Sequence, residues 1–169
     1  MGEPGGLTFQ LDSEQRLAEV AGAFARALHS ARAWPLVIGL RGDLGSGKTT
    51  WVRAMLRGLG YSRRVPSPTY TLLEQYACGE LTVVHLDLYR LRGDDELEHL
   101  GLRDWLAEQV CWVAVEWPER APQLAARCDL TLELAVTGPL ARRVSARARS
   151  GLGTEALRLI RHGAFNNKA

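Results

Sequence analysis

The segment Gly42-Asp43-Leu44-Gly45-Ser46-Gly47-Lys48-Thr49 satisfies every fixed position of the pattern G-x-x-x-x-G-K-[ST]. Its chemistry is phosphate binding. Glycines let successive backbone N–H groups turn inward around an anion, where a Cβ would obstruct. Lys48 would reach the outer phosphates of a nucleotide triphosphate, and the Thr49 hydroxyl would ligate Mg²⁺. A helix opening near Lys48 adds the positive end of its dipole. The pattern needs a strand before it and a helix after it. Pro35-Leu36-Val37-Ile38-Gly39-Leu40 and the residues from Lys48 onward provide both.

Hydrolysis or transfer requires more than a phosphate loop. It needs a second support for the metal and a group that orients the attacking oxygen. Two carboxylates qualify, each ending an apolar run: Asp87 after Val83-Val84-His85-Leu86, and Glu116 after Cys111-Trp112-Val113-Ala114-Val115. Open α/β sheets place ligands at such strand ends, and the sequence alone does not rank the two. Ser67-Pro68-Thr69-Tyr70 lies between the phosphate loop and the first carboxylate. Proline-flanked hydroxyls there suit a loop that answers to the γ-phosphate. His85 shares a strand face with Asp87, so it either joins a water or metal shell or is a satisfied core histidine. Arg90 either contacts phosphate or pairs with Asp94-Asp95-Glu96. Trp117 either walls the site or presents a partner surface.

The elements that must position these groups follow from periodicity. Leu7–Leu11 alternates as a strand, and Ser13 is placed to cap an amphipathic helix through about Leu28. Trp34–Leu40 reads as a strand buried on both faces. A helix runs from about Lys48 to Gly58, followed by an extended loop at Val65-Pro66-Ser67-Pro68-Thr69. Thr71–Tyr76 and Leu81–Leu88 form a hairpin. Asp94 and Asp95 cap a short helix to about Leu100, and another helical turn starts at Asp104. Cys111–Val115 is a second fully apolar strand. Asp129–Val136 and Arg142–Arg149 pair around Gly138-Pro139, with Arg143, Ser145, Arg147 and Arg149 on the polar face of an edge strand. A helix covers Glu155–Arg161.

The 169 residues are expected to form one domain, with residues 1–6 and about 163–169 frayed. No apolar run approaches the ~20 residues of a membrane span, and the N-terminus carries no secretory pattern. A cytoplasmic location is expected. Cys78, Cys111 and Cys128 are odd in number and widely spaced, which argues for buried thiols over a zinc site or disulfides. The net charge of +2 is uneven: from Pro139 onward seven Lys/Arg face one Glu, a balance of +6, against −4 before it. That basic tail either faces nucleic acid or an acidic partner, or is a solvated strand face.

The combined motifs resemble one bacterial family, TsaE, formerly YjeE. They are the phosphate loop through Thr50, Ser67-Pro68-Thr69-Tyr70-Thr71-Leu72, His85-Leu86-Asp87-Leu88-Tyr89-Arg90-Leu91, Glu96-Leu97-Glu98 with Gly101-Leu102-Arg103-Asp104, and Val115-Glu116-Trp117. The resemblance spans about Leu7 to Val136. It departs at Ser46, where alanine is expected, and at Pro66, where a polar residue is more usual. It implies an α/β phosphate-loop fold, a three-layer sandwich whose mixed sheet has a parallel core and added antiparallel strands. It also implies an ATPase needed for threonylcarbamoyladenosine formation on tRNA next to the anticodon. Such an ATPase works with the TsaB–TsaD heterodimer, with tRNA reached through that complex. ATP and Mg²⁺ are the implied cofactors. Carried over by motif, Gly42 to Thr50 bind nucleotide, Lys48 contacts phosphate, Thr49 and Glu116 hold Mg²⁺, and Asp87 supports metal or water. Ser67, Thr69 and Tyr70 belong to a switch-like loop, Trp117 is functionally sensitive, and Ser13 corresponds to a position near the base.

Three other readings use the same residues. A small-molecule or nucleotide kinase would need an arginine-bearing lid, and no insertion of that length follows the phosphate-loop helix. A GTPase switch would need N-K-x-D, which is absent. A nucleotide-dependent scaffold would keep binding without its own catalysis.

Overall fold

The computed structural model describes residues 6–165. Seven strands form one mixed sheet in the order β1-β7-β6-β2-β5-β4-β3. They are β1 (Gly6–Leu11), β2 (Leu36–Arg41), β3 (Leu73–Cys78), β4 (Leu81–Asp87), β5 (Cys111–Glu116), β6 (Leu130–Val136) and β7 (Arg142–Ala148). The helices are α1 (Glu14–Ser30), α2 (Lys48–Gly58), α3 (Asp94–His99), α4 (Leu102–Ala107), α5 (Pro122–Ala125) and α6 (Gly151–Phe165). Strands β6, β2, β5 and β4 run parallel. β3, β7 and β1 are added antiparallel. This is the α/β arrangement expected, a parallel core with antiparallel flanks.

The central strands are apolar along their length because both faces are covered. One face of the sheet packs on α1, α2 and α6, in a core that includes Leu17, Phe24, Trp51, Met55, Ile38, Trp112, Leu132 and Ile160. The other face packs on the short helices through Val84, Leu86, Val113, Val115, Leu102 and Leu124. Phe24 and Trp51 meet edge to face at 5.7 Å between α1 and α2. Gly22 and Gly58 bring the two helix backbones together there: a Cβ on Gly58 would lie 2.6 Å from Gly22 Cα. Asp129 anchors the start of β2. Its Oδ2 accepts from Val37 N at 2.9 Å and its Oδ1 from Ser150 Oγ at 2.6 Å.

Several expectations are corrected. β7 is not an edge strand, because β1 adds to it in register from Gly6↔Arg147 to Leu11↔Arg142. The edges are β1 and β3. Helix α3 takes Gly93 as its N-cap in place of Asp94 or Asp95. β2 opens at Leu36 rather than Trp34. α6 begins at Gly151, four residues before Glu155, with Ser150 Oγ accepting from Gly153 N. The 3-10 turn Pro118–Arg120 and α5, both opened by proline, were not foreseen. Gly6 belongs to β1 and residues to Phe165 belong to α6. The remainder of the ends expected to fray lies outside the described residues. The three cysteines are buried and free, as expected.

Candidate functional site

The loop from Gly42 to Gly47 leaves the C-terminal end of β2 and enters α2 at Lys48. Gly42 and Gly47 have φ of +141° and +106°, a region that favours glycine. Gly42 also lies hard against β6: a Cβ there would meet Leu134 O at 2.3 Å. Gly47 caps α2 without a side chain, so the first-turn N–H groups are not spent on an Ncap oxygen.

Parallel pairing sets Asp87 opposite Glu116, and Glu116 opposite Leu40, one residue before the end of β2. Both carboxylates therefore emerge beside the loop. Thr49 Oγ1 donates to the Glu116 carboxylate, at 2.8 Å from Oε1 and 3.0 Å from Oε2. Thr69 Oγ1 donates to Asp87 Oδ2 at 3.1 Å, and Tyr89 N donates to Asp87 Oδ1 at 3.0 Å. Ser67 Oγ lies 2.7 Å from Thr69 Oγ1. His85 is fully buried with Nε2 2.8 Å from Glu116 Oε1, opposite the small Ala114 that leaves it room. Its place in the core is thus also a place in the site, where it fixes the carboxylate's rotamer.

Lys48 Nζ donates to Gly42 O at 2.7 Å and to Asp43 O at 3.0 Å, and sits 3.9 Å from the centre of the Trp117 ring. Burial pulls the Lys48 pKa down from its ordinary value, and Glu116, Asp87, Glu119 and Asp43 pull it back up. Trp117 itself adopts φ +59°, and its N–H donates to Leu40 O, so the ring is set by backbone pinned to β2. Tyr89 packs against Trp117 with ring centres 5.0 Å apart and planes tilted by 46°, and Arg120 lies 5.4 Å from the Tyr89 ring.

These groups line a cleft of about 220 Å³ bounded by Leu44, Gly45, Gly47 to Thr50, Thr69, Asp87, Tyr89, Glu116 and Trp117. Other candidates lie outside it. Ser46 is buried with its hydroxyl unbonded. Ser13 caps α1, accepting from Arg16 N at 3.2 Å; α1 approaches the loop through Leu17, whose Cδ1 is 3.4 Å from a Cβ placed on Gly47. Tyr70 is 83% exposed and faces Arg90, whose guanidinium is 4.6 Å from its ring.

The oxygens gathered here suit a hard cation. Mg²⁺ takes oxygen ligands but usually few from protein, keeping waters and substrate phosphates. Thr49 and Glu116 match that pattern. Among the described residues no cluster of three His, Cys, Asp or Glu side chains could hold a metal by itself.

Sequence reading missed Arg142. From the first residue of β7 its guanidinium reaches the outer side of the phosphate loop, with Nε donating to Ser46 O at 3.1 Å. Almost a hundred residues separate the partners, and no local pattern marks the contact.

Comparison with known proteins agrees with the geometry. Residues 11–144 match the model of a family described as threonylcarbamoyl adenosine biosynthesis protein TsaE. Relatives named tRNA threonylcarbamoyladenosine biosynthesis protein TsaE include one from Haemophilus influenzae, 40% identical over 108 residues, covering 63% of this chain and 66% of that one. The Bacillus subtilis relative is 38% identical, covering 69% and 70%. The Aquifex aeolicus relative is 35% identical, covering 79% and 90%. The match therefore spans just under two thirds of the Haemophilus protein's length. A crystal structure of Bacillus subtilis YdiB superposes with a TM-score of 0.67 over 92% of this chain and 93% of that one. At 24% identity that likeness speaks for the fold.

Proposed function

This chain belongs to the TsaE family, and from that premise we propose that it is an Mg²⁺-dependent ATPase serving threonylcarbamoyladenosine biosynthesis on tRNA. The observation that carries the reading is the Thr49–Glu116 pair at the mouth of the phosphate loop, at 2.8 and 3.0 Å. It brings together a hydroxyl and a carboxylate, the two oxygen types that would hold Mg²⁺. When bound, Mg²⁺ would neutralise charge on the phosphates and template their geometry.

The chain's own residues have separable tasks. Lys48 and the loop N–H groups bind and orient the outer phosphates. Trp117 and Tyr89 wall one side and limit water. His85 keeps Glu116 in one rotamer. Asp87, held by Thr69 Oγ1 and Tyr89 N, is the carboxylate left to orient the attacking water. Its tie to Thr69 links that water to the loop Ser67–Tyr70, which suits a segment whose order follows nucleotide state. Arg120 lies over the Tyr89 ring, 5.4 Å from its centre. Among the described residues no arginine lines the cleft, so hydrolysis by the chain alone should be slow, because such a group is worth about 10³–10⁵ in rate.

The partner is the TsaB–TsaD heterodimer in the cytoplasm, reset by ATP binding and hydrolysis, with tRNA met through that complex. Pull-down of TsaB–TsaD with and without ATP tests this, together with steady-state hydrolysis. The expected result is ATP-dependent association and slow basal turnover. Association indifferent to nucleotide, or turnover of tens per second by the isolated chain, would defeat the reading.

A further inference from the structure

We propose that Arg142 is a positioning residue for the phosphate loop: it holds the Ser46–Gly47 peptide so that the Gly47 N–H points into the cleft. The inference rests on reading the cleft as a triphosphate site.

A trans peptide unit is planar, with its C=O and N–H pointing in opposite directions. Fixing one fixes the other. Arg142 Nε donates to Ser46 O at 3.1 Å, and Nη2 lies 3.5 Å from Gly45 O. The same guanidinium donates through Nη1 to Ala141 O at 2.9 Å and Gly138 O at 3.3 Å. One rigid fork therefore ties the outer side of the phosphate loop to the β6–β7 turn. The Ser46 N–H is already spent on Asp43 O at 3.0 Å. The Gly47 N–H is the donor whose direction Arg142 sets, and Gly47 lines the cleft.

Arg142 is well mounted for this task. It opens a strand flanked on both sides, paired with Leu11 of β1 and Val136 of β6. Bonds from a guanidinium to carbonyls are charge-assisted, and a planar fork loses less entropy per bond than a lysine chain. Lysine at this position would retain the charge but could not span both segments.

The test compares the full-length wild type with R142A and R142K. Affinity is read by fluorescent ATP analogue binding and by competition with inorganic tripolyphosphate. R142A should weaken both by about tenfold, the order of one charge-assisted hydrogen bond. R142K should recover at most about threefold, while the unfolding temperature of all three stays within a few degrees. A second readout needs no nucleotide: the ¹⁵N–¹H resonance of Gly47 should shift or broaden in R142A. Unchanged affinity in R142A, full rescue by R142K, an unmoved Gly47 resonance, or affinity lost only in step with tertiary circular dichroism would overturn the proposal. Whether the wild type binds ATP at all tests the proposed function separately.

Discussion

Glu116 is the residue on which three elements meet. Thr49 from α2 and His85 from β4 both bond its carboxylate, and it is 2% exposed. Burying a carboxylate is costly unless its lone pairs are satisfied, and here two neighbours satisfy them. Glu116→Ala removes a proposed metal oxygen and leaves the Thr49 hydroxyl and His85 Nε2 without their acceptor. Hydrolysis should fall at least about a hundredfold, the loss of several kcal/mol of charge stabilisation. ATP affinity should change by less than about tenfold, because Lys48 and the loop remain. Glu116→Gln keeps an acceptor oxygen and controls for folding. Retention of wild-type turnover in either variant would move the role elsewhere, Asp87 first. The sequence marked Asp87 and Glu116 as equals. Their difference lies in strand order and partners, since Glu116 on β5 is bonded to the phosphate-loop threonine and Asp87 on β4 to the Ser67–Tyr70 loop.

At the scale of elements, α2 carries the site and α1 carries α2. Their contact depends on the Gly22–Gly58 approach, where a Cβ on Gly58 would also come within 2.6 Å of Gly22 O. Gly58→Ala therefore sets a helix-propensity gain of under ~1 kcal/mol against overpacking into backbone, costing about 1–3 kcal/mol. The clash should win, because backbone cannot move aside as a flexible side chain can. The melting temperature should drop by roughly 2–12 °C, with α2 shifted and nucleotide binding weakened alongside. A melting temperature equal to or above wild type would show that the helices separate without cost. The α1 and α2 ranges were legible from capping and spacing. Glycine at position 58 was legible only as a helix stop, because a helix crossing is a meeting of distant residues. The same holds for the cap at Gly93: the acidic pair after it has cap chemistry, but backbone geometry set the boundary one residue earlier.

Across the whole molecule, burial shapes the response to pH. Cys78, Cys111 and Cys128 each have their pKa pushed up to about 11 by burial, and Tyr76 to about 12. These groups are neutral when folded and ionise more readily when unfolded. A raised folded pKa means stability fully present below the unfolded pKa and lost as pH climbs toward the folded one. Denaturant midpoints should be insensitive to these groups near neutrality and fall between about pH 9 and 11. Native thiols should react slowly with a disulfide reagent at pH 8, and all three should react after unfolding. Rapid labelling of the native protein would contradict the burial. The basic C-terminal segment also takes its meaning from the whole fold. β1 covers the flank of β7, so Arg143, Arg147 and Arg149 are not an edge defence, and Arg142 bonds the phosphate loop about a hundred residues upstream.

By itself the sequence determined the phosphate loop, the strand and helix around it, both strand-end carboxylates and the α/β class. Each is written in local order: fixed glycines, a lysine and threonine at set spacing, and apolar runs too continuous for a one-sided sheet. Only the tertiary structure decided strand order, the pairing of Thr49 with Glu116, the burial of His85 beneath it, the stacking of Arg90 on Tyr70, and the reach of Arg142. Those depend on which distant segments the sheet sets side by side. Hydrophobic burial and register choose that arrangement over the whole chain, and no short window of residues records it.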